Sequence, residues 1–513
     1  MNLIEDKWIP VRRKSGKKEK IAPWQVTENM SGDPIVGLAA VRPDFNGALV
    51  QFLIGLLQTT CAPKNNKEWR MWRDNPPKPE ELKRKFEGVT FAFNLDGDGP
   101  RFMQDLTLEK EERKTVEDVE KLLIDAPGEQ TLKFNTDHFI KRRRIEKLCL
   151  FCVAQALFTL QTNAPSGGKG HRVGLRGGGP VVTIILEDSL WETIWSNVLD
   201  LGGFEKLANK DKTDDKDRFP WLAKTRTSDN DRATTAQDIN PAQIYWSMPR
   251  RVRLISDKGK DRCDLCNELD IVVTQYLTKP YGVMYKNILH PLTPLYRDAK
   301  NELFPMHQHE NIGYKYWLGY VQAVSDGKRQ TAEIINQIIR RGVSGFHLWA
   351  FGYDMDNMKA SCWYEGIMPV VTVEDENKRR TYEAEIASMI RAADSLAVSL
   401  RYGIKDALFN DSQKTDINKF GFVAQRFWQE TESDFYQFIA KLREDVMTGK
   451  DGSAVKQEWH KRIVRKAEEI FDEVSQSEMI DEVNVKRVAQ ARQKFLGSIW
   501  GKKVRQEILG LPQ

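Results

Sequence analysis

Histidine and cysteine are scarce in this sequence, with seven of the one and six of the other in 513 residues. Six cysteines are too few for a disulfide scaffold in so long a chain. The one close histidine pair, His307 and His309 in MHQHE, lies in a polar stretch that reads as surface. Long apolar runs are missing as well: the longest, Leu148 to Leu160, is broken by Gln155 and is too short to span a bilayer. The first residues, MNLIEDKWIP, lack the basic-then-apolar pattern of a signal peptide, so a cytoplasmic protein with no membrane contact is expected. There is no G-x-x-x-x-G-K-[ST] phosphate loop, no G-x-S-x-G elbow and no H-E-x-x-H, which removes the commonest nucleotidase, hydrolase and metalloprotease readings. Excess charge of one sign is lacking too. Lys plus Arg exceed Asp plus Glu by 78 to 73, and a net +5 says nothing by itself about nucleic acid.

What is there is globular in composition, 40% hydrophobic and 29% charged, and its length predicts two or three domains. Residues 1–374 mix short apolar runs, such as Val181–Leu186, with Gly-, Pro- and Asp-rich segments and long polar connections at 209–218 and 225–240. This predicts a large mixed α/β domain. From residue 375 the pattern changes to a helical one: Ile386, Met389, Ile390, Ala393, Ala397, Leu400 and Ile404 recur at three- and four-residue intervals. Similar series run through Phe427–Leu442, Trp459–Val474 and Val488–Trp500, with polar or glycine-bearing breaks between them. The expectation is an α+β protein: a mixed N-terminal domain over 1–374 and a four-helix bundle over 375–513.

Four of the cysteines form two Cys-x-x-Cys pairs, Cys149/Cys152 and Cys263/Cys266, the thiolate set that a closed tetrahedral Zn²⁺ site takes. The alternative leaves Cys149 and Cys152 as ordinary buried thiols on an apolar helix face. A glycine cluster, Gly167-Gly168-Lys169-Gly170 through Gly177-Gly178-Gly179, also carries His171, Arg172 and Arg176. It follows a helical stretch, the wrong context for dinucleotide binding, but it would let main-chain N–H groups approach a phosphate or a groove floor. Its alternative is a loop whose glycines only satisfy turns. The densest basic run, Lys141-Arg142-Arg143-Arg144, follows His138 and Phe139 and suits phosphate contact with stacking, or else is a solvated helix start. Basic clusters also mark the bundle: Lys461, Arg462, Arg465 and Lys466, and Lys486, Arg487, Arg492 and Lys494. Asp354 and Asp356 supply two carboxylates, too few to hold a hard cation alone.

Several stretches in collinear order resemble the CasA family, the large subunit of type I-E CRISPR Cascade complexes. They are the opening Asn2-Leu3-Ile4-Glu5-Asp6-Lys7-Trp8-Ile9-Pro10-Val11, Asn163-Ala164-Pro165 leading to Gly174–Val181, both cysteine pairs, Tyr276–Lys279, and Phe351-Gly352-Tyr353 leading to Lys359-Ala360-Ser361. The resemblance implies a subunit that is not an enzyme. It would read a short protospacer-adjacent motif in double-stranded DNA, help open the duplex for guide RNA, sit among the other Cascade subunits and help recruit a helicase-nuclease. It places motif contact on Ser166, Gly167, Gly168, Lys169 and Gly170, a minor-groove lysine at Lys279, and a duplex-opening wedge at Asn357, Met358, Lys359 and Ala360. Docking to the guide-bearing complex falls on Phe139, Lys141, Arg142 and Arg143. Two other readings predict different behaviour: a metal-dependent nuclease using Asp354, Asp356 and a histidine, and an RNA-binding scaffold without motif selectivity.

Overall fold

Helix α1 (Pro43–Cys61) opens on a proline at its first turn and buries Phe45, Ala48, Leu49, Phe52, Leu53, Leu56 and Leu57, so apolar residues lie on nearly every face. A helix of that kind belongs inside a core. Phe52 is its centre, meeting Trp8, Phe93, Phe102, Phe158 and Trp246 edge-on at 5.2–5.9 Å between ring centroids. These contacts come from a computed structural model, which describes residues 1–126, 144–168, 170–324, 327–356, 359–373, 375–409, 415–476 and 484–511. The chain divides into two compact units, one of Met1–Glu310, Gly327–Arg341 and Trp349–Glu365, the other of Asn311–Asp326, Gly342–Leu348 and Gly366–Gln513.

In the first unit β1 (Ile9–Arg13) lies between β2 (Lys18–Ile21) and β3 (Ile35–Leu38). A second sheet is built on the long strands that sequence reading left unassigned. Its members are β4 (Thr115–Asp118), β5 (Leu148–Cys149), β7 (Arg251–Arg262) and β8 (Leu269–Lys279), with β8 pairing the other three antiparallel. Helix α2 (Leu150–Asn163) runs straight on from β5 and packs on α1. The apolar run Val181–Leu186 supplies β6 (Val182–Leu186), buried along almost its whole length beside β9 (His347–Asp356) and then β10 (Lys359–Pro369).

The second unit carries the C-terminal helices α3 (Glu376–Leu408), α4 (Gly421–Met447), α5 (Ser453–Ser475) and α6 (Val485–Ile499), with α3 packed against each of the others. Asp375 starts α3 by accepting from the Lys378 N–H at 2.9 Å. Tyr314 stacks on Phe435 at 4.4 Å and shares a 2.7 Å hydrogen bond between its hydroxyl and that of Thr431. The protein is thus a mixed helix-and-sheet chain with a C-terminal helical region, as the periodicity predicts. Among the described residues no helix is long and apolar enough to cross a membrane.

Candidate nucleic-acid interface and cysteine site

Between Ala164 and Gly179 the chain has few side chains of its own to fold with, so its neighbours set its path. The Gly174 N–H donates to Ala164 O, and the Gly177 N–H to Gly174 O, each at 2.9 Å, closing the base of a loop. Gly167 and Gly168 are exposed and Ser166 is half-buried. Gly168 and Gly170 hold φ of +86° and +80°, which a side chain would resist. Gly170 is seated on the segment just after β8: its carbonyl accepts from the Tyr281 N–H at 2.7 Å, and a Cβ there would stand 2.8 Å from that of Pro280. Behind the loop the Arg250 guanidinium donates to Pro165 O and fills the space beside Gly167, 2.8 Å from where a Cβ would be. Burial lowers Arg250 to about 10.

Lys279 ends β8, immediately before that seat, so the structure brings it together with the glycine loop. Its Nζ donates to Glu111 Oε2 at 2.8 Å. Cross-strand from it, Arg251 donates to the other Glu111 oxygen and, at 2.6 Å, to Asp105. Burial acts to raise the Glu111 carboxyl, but the hydrogen bonds from Arg251 and Lys279 outweigh it and hold the group at about 2. At its far end the glycine segment lies on β9: Gly179 has φ +67°, and a Cβ would fall 2.4 Å from Tyr353 O. Tyr353 is itself anchored, its hydroxyl donating to Asp44 at 2.6 Å. Three residues beyond Tyr353, β9 ends at Asp356; Lys359 is exposed at the start of β10, followed by half-buried Ala360.

The cysteines converge. Cys149 does not sit on the helix face; it is the N-cap of α2, its sulfur accepting from the Cys152 N–H at 3.4 Å, which puts Cys152 in the first turn. Cys263 and Cys266 lie in the turn between β7 and β8, where the Cys263 N–H donates to Glu268 O and the Asn267 N–H to Cys263 O, both at 2.9 Å. Pairing of Cys149 with Val272 lays the helix start against that turn. Asp264 ties them further, its carboxylate accepting from the Glu146 and Lys147 N–H groups at 2.7 and 2.9 Å. All four sulfurs lie within 4.8 Å of one another, with Cys149 and Cys266 at 3.6 Å. A tetrahedron of thiolates around Zn²⁺ requires edges of about 3.8 Å, so the donor set fits that ion. Hydrogen bonding from Cys149 and Cys152 holds Cys263 well below the ordinary thiol value, and Cys266 is drawn down to about 7, chiefly by Cys152, while the thiols of Cys149 and Cys152 are pushed up as the partners that keep their protons. Such a group of sulfurs is one that a cation would stabilise.

The family model of the CRISPR-associated protein Cse1 matches residues 2–470. The chain belongs to the Cse1 family. Among solved structures it is similar to CasA of Thermus thermophilus, with a TM-score of 0.71, 16% identity and 99% of each chain covered. Cse1 of Thermobifida fusca gives 0.68 at 16% identity over 98% of each chain. A chain titled CRISPR RNA-guided surveillance complex gives 0.69 at 17% identity, covering 98% of this chain and 99% of that one. At these identities the likeness establishes the fold.

For this Cse1-family chain, the proposed docking residues Phe139, Lys141, Arg142 and Arg143, the loop residue Lys169 and the wedge residues Asn357 and Met358 lie outside the described residues, as does the side chain of Asp356. Asp354 faces His309, Oδ1 to Nδ1 at 3.7 Å. Among the described residues the cysteines are the only cluster of three or more His, Cys, Asp or Glu side chains able to hold a metal, so among them this pair gains no third ligand. Several members of the basic clusters of the helical region pair with acidic neighbours: Arg462 with Asp434, Lys466 with Glu430 and Glu469, Arg492 with Asp472 and Lys494 with Asp406. Arg172 donates to Ser228 at 2.8 Å, and Arg176 is buried, so the Arg176 guanidinium does not face outward to meet a phosphate. Sequence reading missed Arg250, Glu111 and Tyr281, whose roles come from partners far along the chain.

Proposed function

We infer that, as the Cse1-type large subunit of a type I-E CRISPR surveillance complex, this chain reads the protospacer-adjacent motif in double-stranded DNA and helps open the duplex there for guide RNA. The reading rests above all on the seating of the glycine loop directly beside Lys279. Gly167 and Gly168 expose main chain without side-chain obstruction, and Lys279 adds a cation within the same patch. Minor-groove readout is degenerate, so tolerance of several motifs is expected. The exposed Lys359, first residue of β10, whose neighbour β9 lies against the same glycine segment at Tyr353, suits a wedge beneath the motif. The chain acts by binding and catalyses no reaction; the other Cascade subunits and guide RNA are its partners, and the helicase-nuclease its recruit. Zn²⁺ at Cys149, Cys152, Cys263 and Cys266 would be structural, because four protein thiolates leave no position for a substrate.

The test is guide-dependent duplex binding by the complex reconstituted with and without this chain, over a library of adjacent motifs, with Lys169→Ala/Lys279→Ala and Lys359→Ala beside wild type. Motif-selective binding that requires the chain, and that the substitutions weaken, supports the reading. Selectivity unchanged without the chain overturns it.

A further inference from the structure

Arg176, in the middle of the glycine segment, is 3% exposed, and two of its five N–H groups are accounted for by Thr293 Oγ1 at 3.1 Å and Gln51 Oε1 at 2.6 Å. Both acceptors are neutral, and among the described residues no carboxylate lies within ion-pairing distance of the guanidinium. A buried cation ordinarily has an anion beside it. Beside Arg176 is a cavity of ≈ 10 Å³ lined in part by Gln51, Tyr245, Ser247 and His290. The Tyr245 hydroxyl is fully buried there and makes no hydrogen bond.

The lining is rich in donors and poor in acceptors. Gln51 Oε1 is taken by Arg176, and the Gln51 amide donates to Gly47 O at 2.8 Å. His290 Nδ1 accepts from the Leu292 N–H at 3.2 Å, which leaves the ring proton on Nε2 and makes His290 a further donor. A water molecule placed there would leave the Arg176 charge uncompensated and would need acceptors for its own two protons, from the hydroxyls of Thr162, Tyr245 and Ser247 or the second lone pair of Gln51 Oε1. A monatomic anion needs none. The volume is that of one small species, which shuts out phosphate and sulfate.

We propose that Arg176, Tyr245 and His290 form a buried halide site, occupied by chloride, that neutralises Arg176 and pins the glycine segment to α1 through Gln51. The bound ion accepts from the Tyr245 hydroxyl and from the guanidinium. His290 also lines, with Thr293, a surface groove of ≈ 480 Å³. This site stands on different residues from the DNA reading and does not depend on it.

The test uses the full chain. Thermal unfolding is followed as sodium chloride replaces sodium gluconate at fixed ionic strength, for wild type and Tyr245→Phe, and wild-type crystals grown in bromide are examined at the bromine absorption edge. The expected result is a saturable rise of the wild-type midpoint with chloride, an at least tenfold higher half-saturating concentration in Tyr245→Phe, and an anomalous peak beside Arg176. Equal unfolding in chloride and gluconate with no bromide peak in the cavity shows that water fills it and overturns the proposal. So does a chloride response that Tyr245→Phe leaves unchanged. If that variant fails to fold, the bromide peak decides alone.

Discussion

The ammonium of Lys279 and the carboxylate of Glu111 are 2.8 Å apart, so the lysine assigned to the minor groove is held by a carboxylate it shares with Arg251. On the proposed reading DNA competes with Glu111 for Lys279, and Glu111→Gln is expected to strengthen duplex binding by the assembled complex. Release of one cation to phosphate steepens the log–log salt dependence by about 0.9. Affinity measured between low and physiological salt checks this; an unchanged slope and affinity would show that Lys279 meets no DNA.

The same carboxylate gives a pH dependence. Its folded value of about 2 lies below the ordinary 4.5, so its contribution to stability is complete above about 4.5 and is lost as pH falls through about 2. Wild type should lose more stability than Glu111→Gln over that window, as followed by acid titration in denaturant. Parallel curves for the two proteins would count against the pairing.

Two glycines should differ in what a substitution costs. A Cβ on Gly179 would meet Tyr353 O at 2.4 Å with φ at +67°, so Gly179→Ala should cost more than the roughly 1–3 kcal/mol of backbone strain alone. Gly168, with φ +86°, has nothing within 4 Å of a Cβ, so Gly168→Ala should cost only the strain of about 1–2 kcal/mol and leave a folded protein whose motif contact can be assayed. Denaturant midpoints of the two variants give the comparison.

Purified chain should carry one zinc, and Cys152→Ser should carry almost none. Metal analysis measures the first statement, and amide exchange the second consequence: faster exchange in the turn between β7 and β8 and at the start of α2, with the helical region unchanged. Metal retained by Cys152→Ser would place the ion elsewhere.

In the second unit Tyr314→Phe removes one buried hydroxyl pair while keeping the ring stacked on Phe435, and should cost about 1 kcal/mol in urea unfolding.

What was legible in the sequence was what repeats locally. Ile386 to Ile404 announces α3 because a buried stripe on a helix must recur with the helical turn, and VVTIIL announces β6 because a strand covered on both faces needs no polar positions. The two Cys-x-x-Cys pairs were visible for the same reason. What was hidden was made by distant partners. Nothing near Glu111 marks it as the acceptor for Lys279, 168 positions away, and Arg176 looked like a phosphate contact because basic residues among glycines read alike whether they face outward or inward. Cys149 reads as a helix residue from its apolar neighbours, whereas its extended backbone makes it the cap.

Strand β8 starts three residues after Cys266 and ends at Lys279, a span of roughly 33 Å at strand rise. Its partner β7 slips register midway, with Ser256 opposite Val273 but Lys260 opposite Ile271, so the middle of the ladder does not enforce alignment. Each end is therefore aligned separately, one at the cysteine cluster and the other by pairing of Thr278 with Val252 and Thr115. A slip of a single residue would carry every side chain of β8 to the opposite face, Lys279 included. A metal-sized cluster of sulfur and a short stretch of backbone pairing thus act as two separate anchors on one strand, with slack between them.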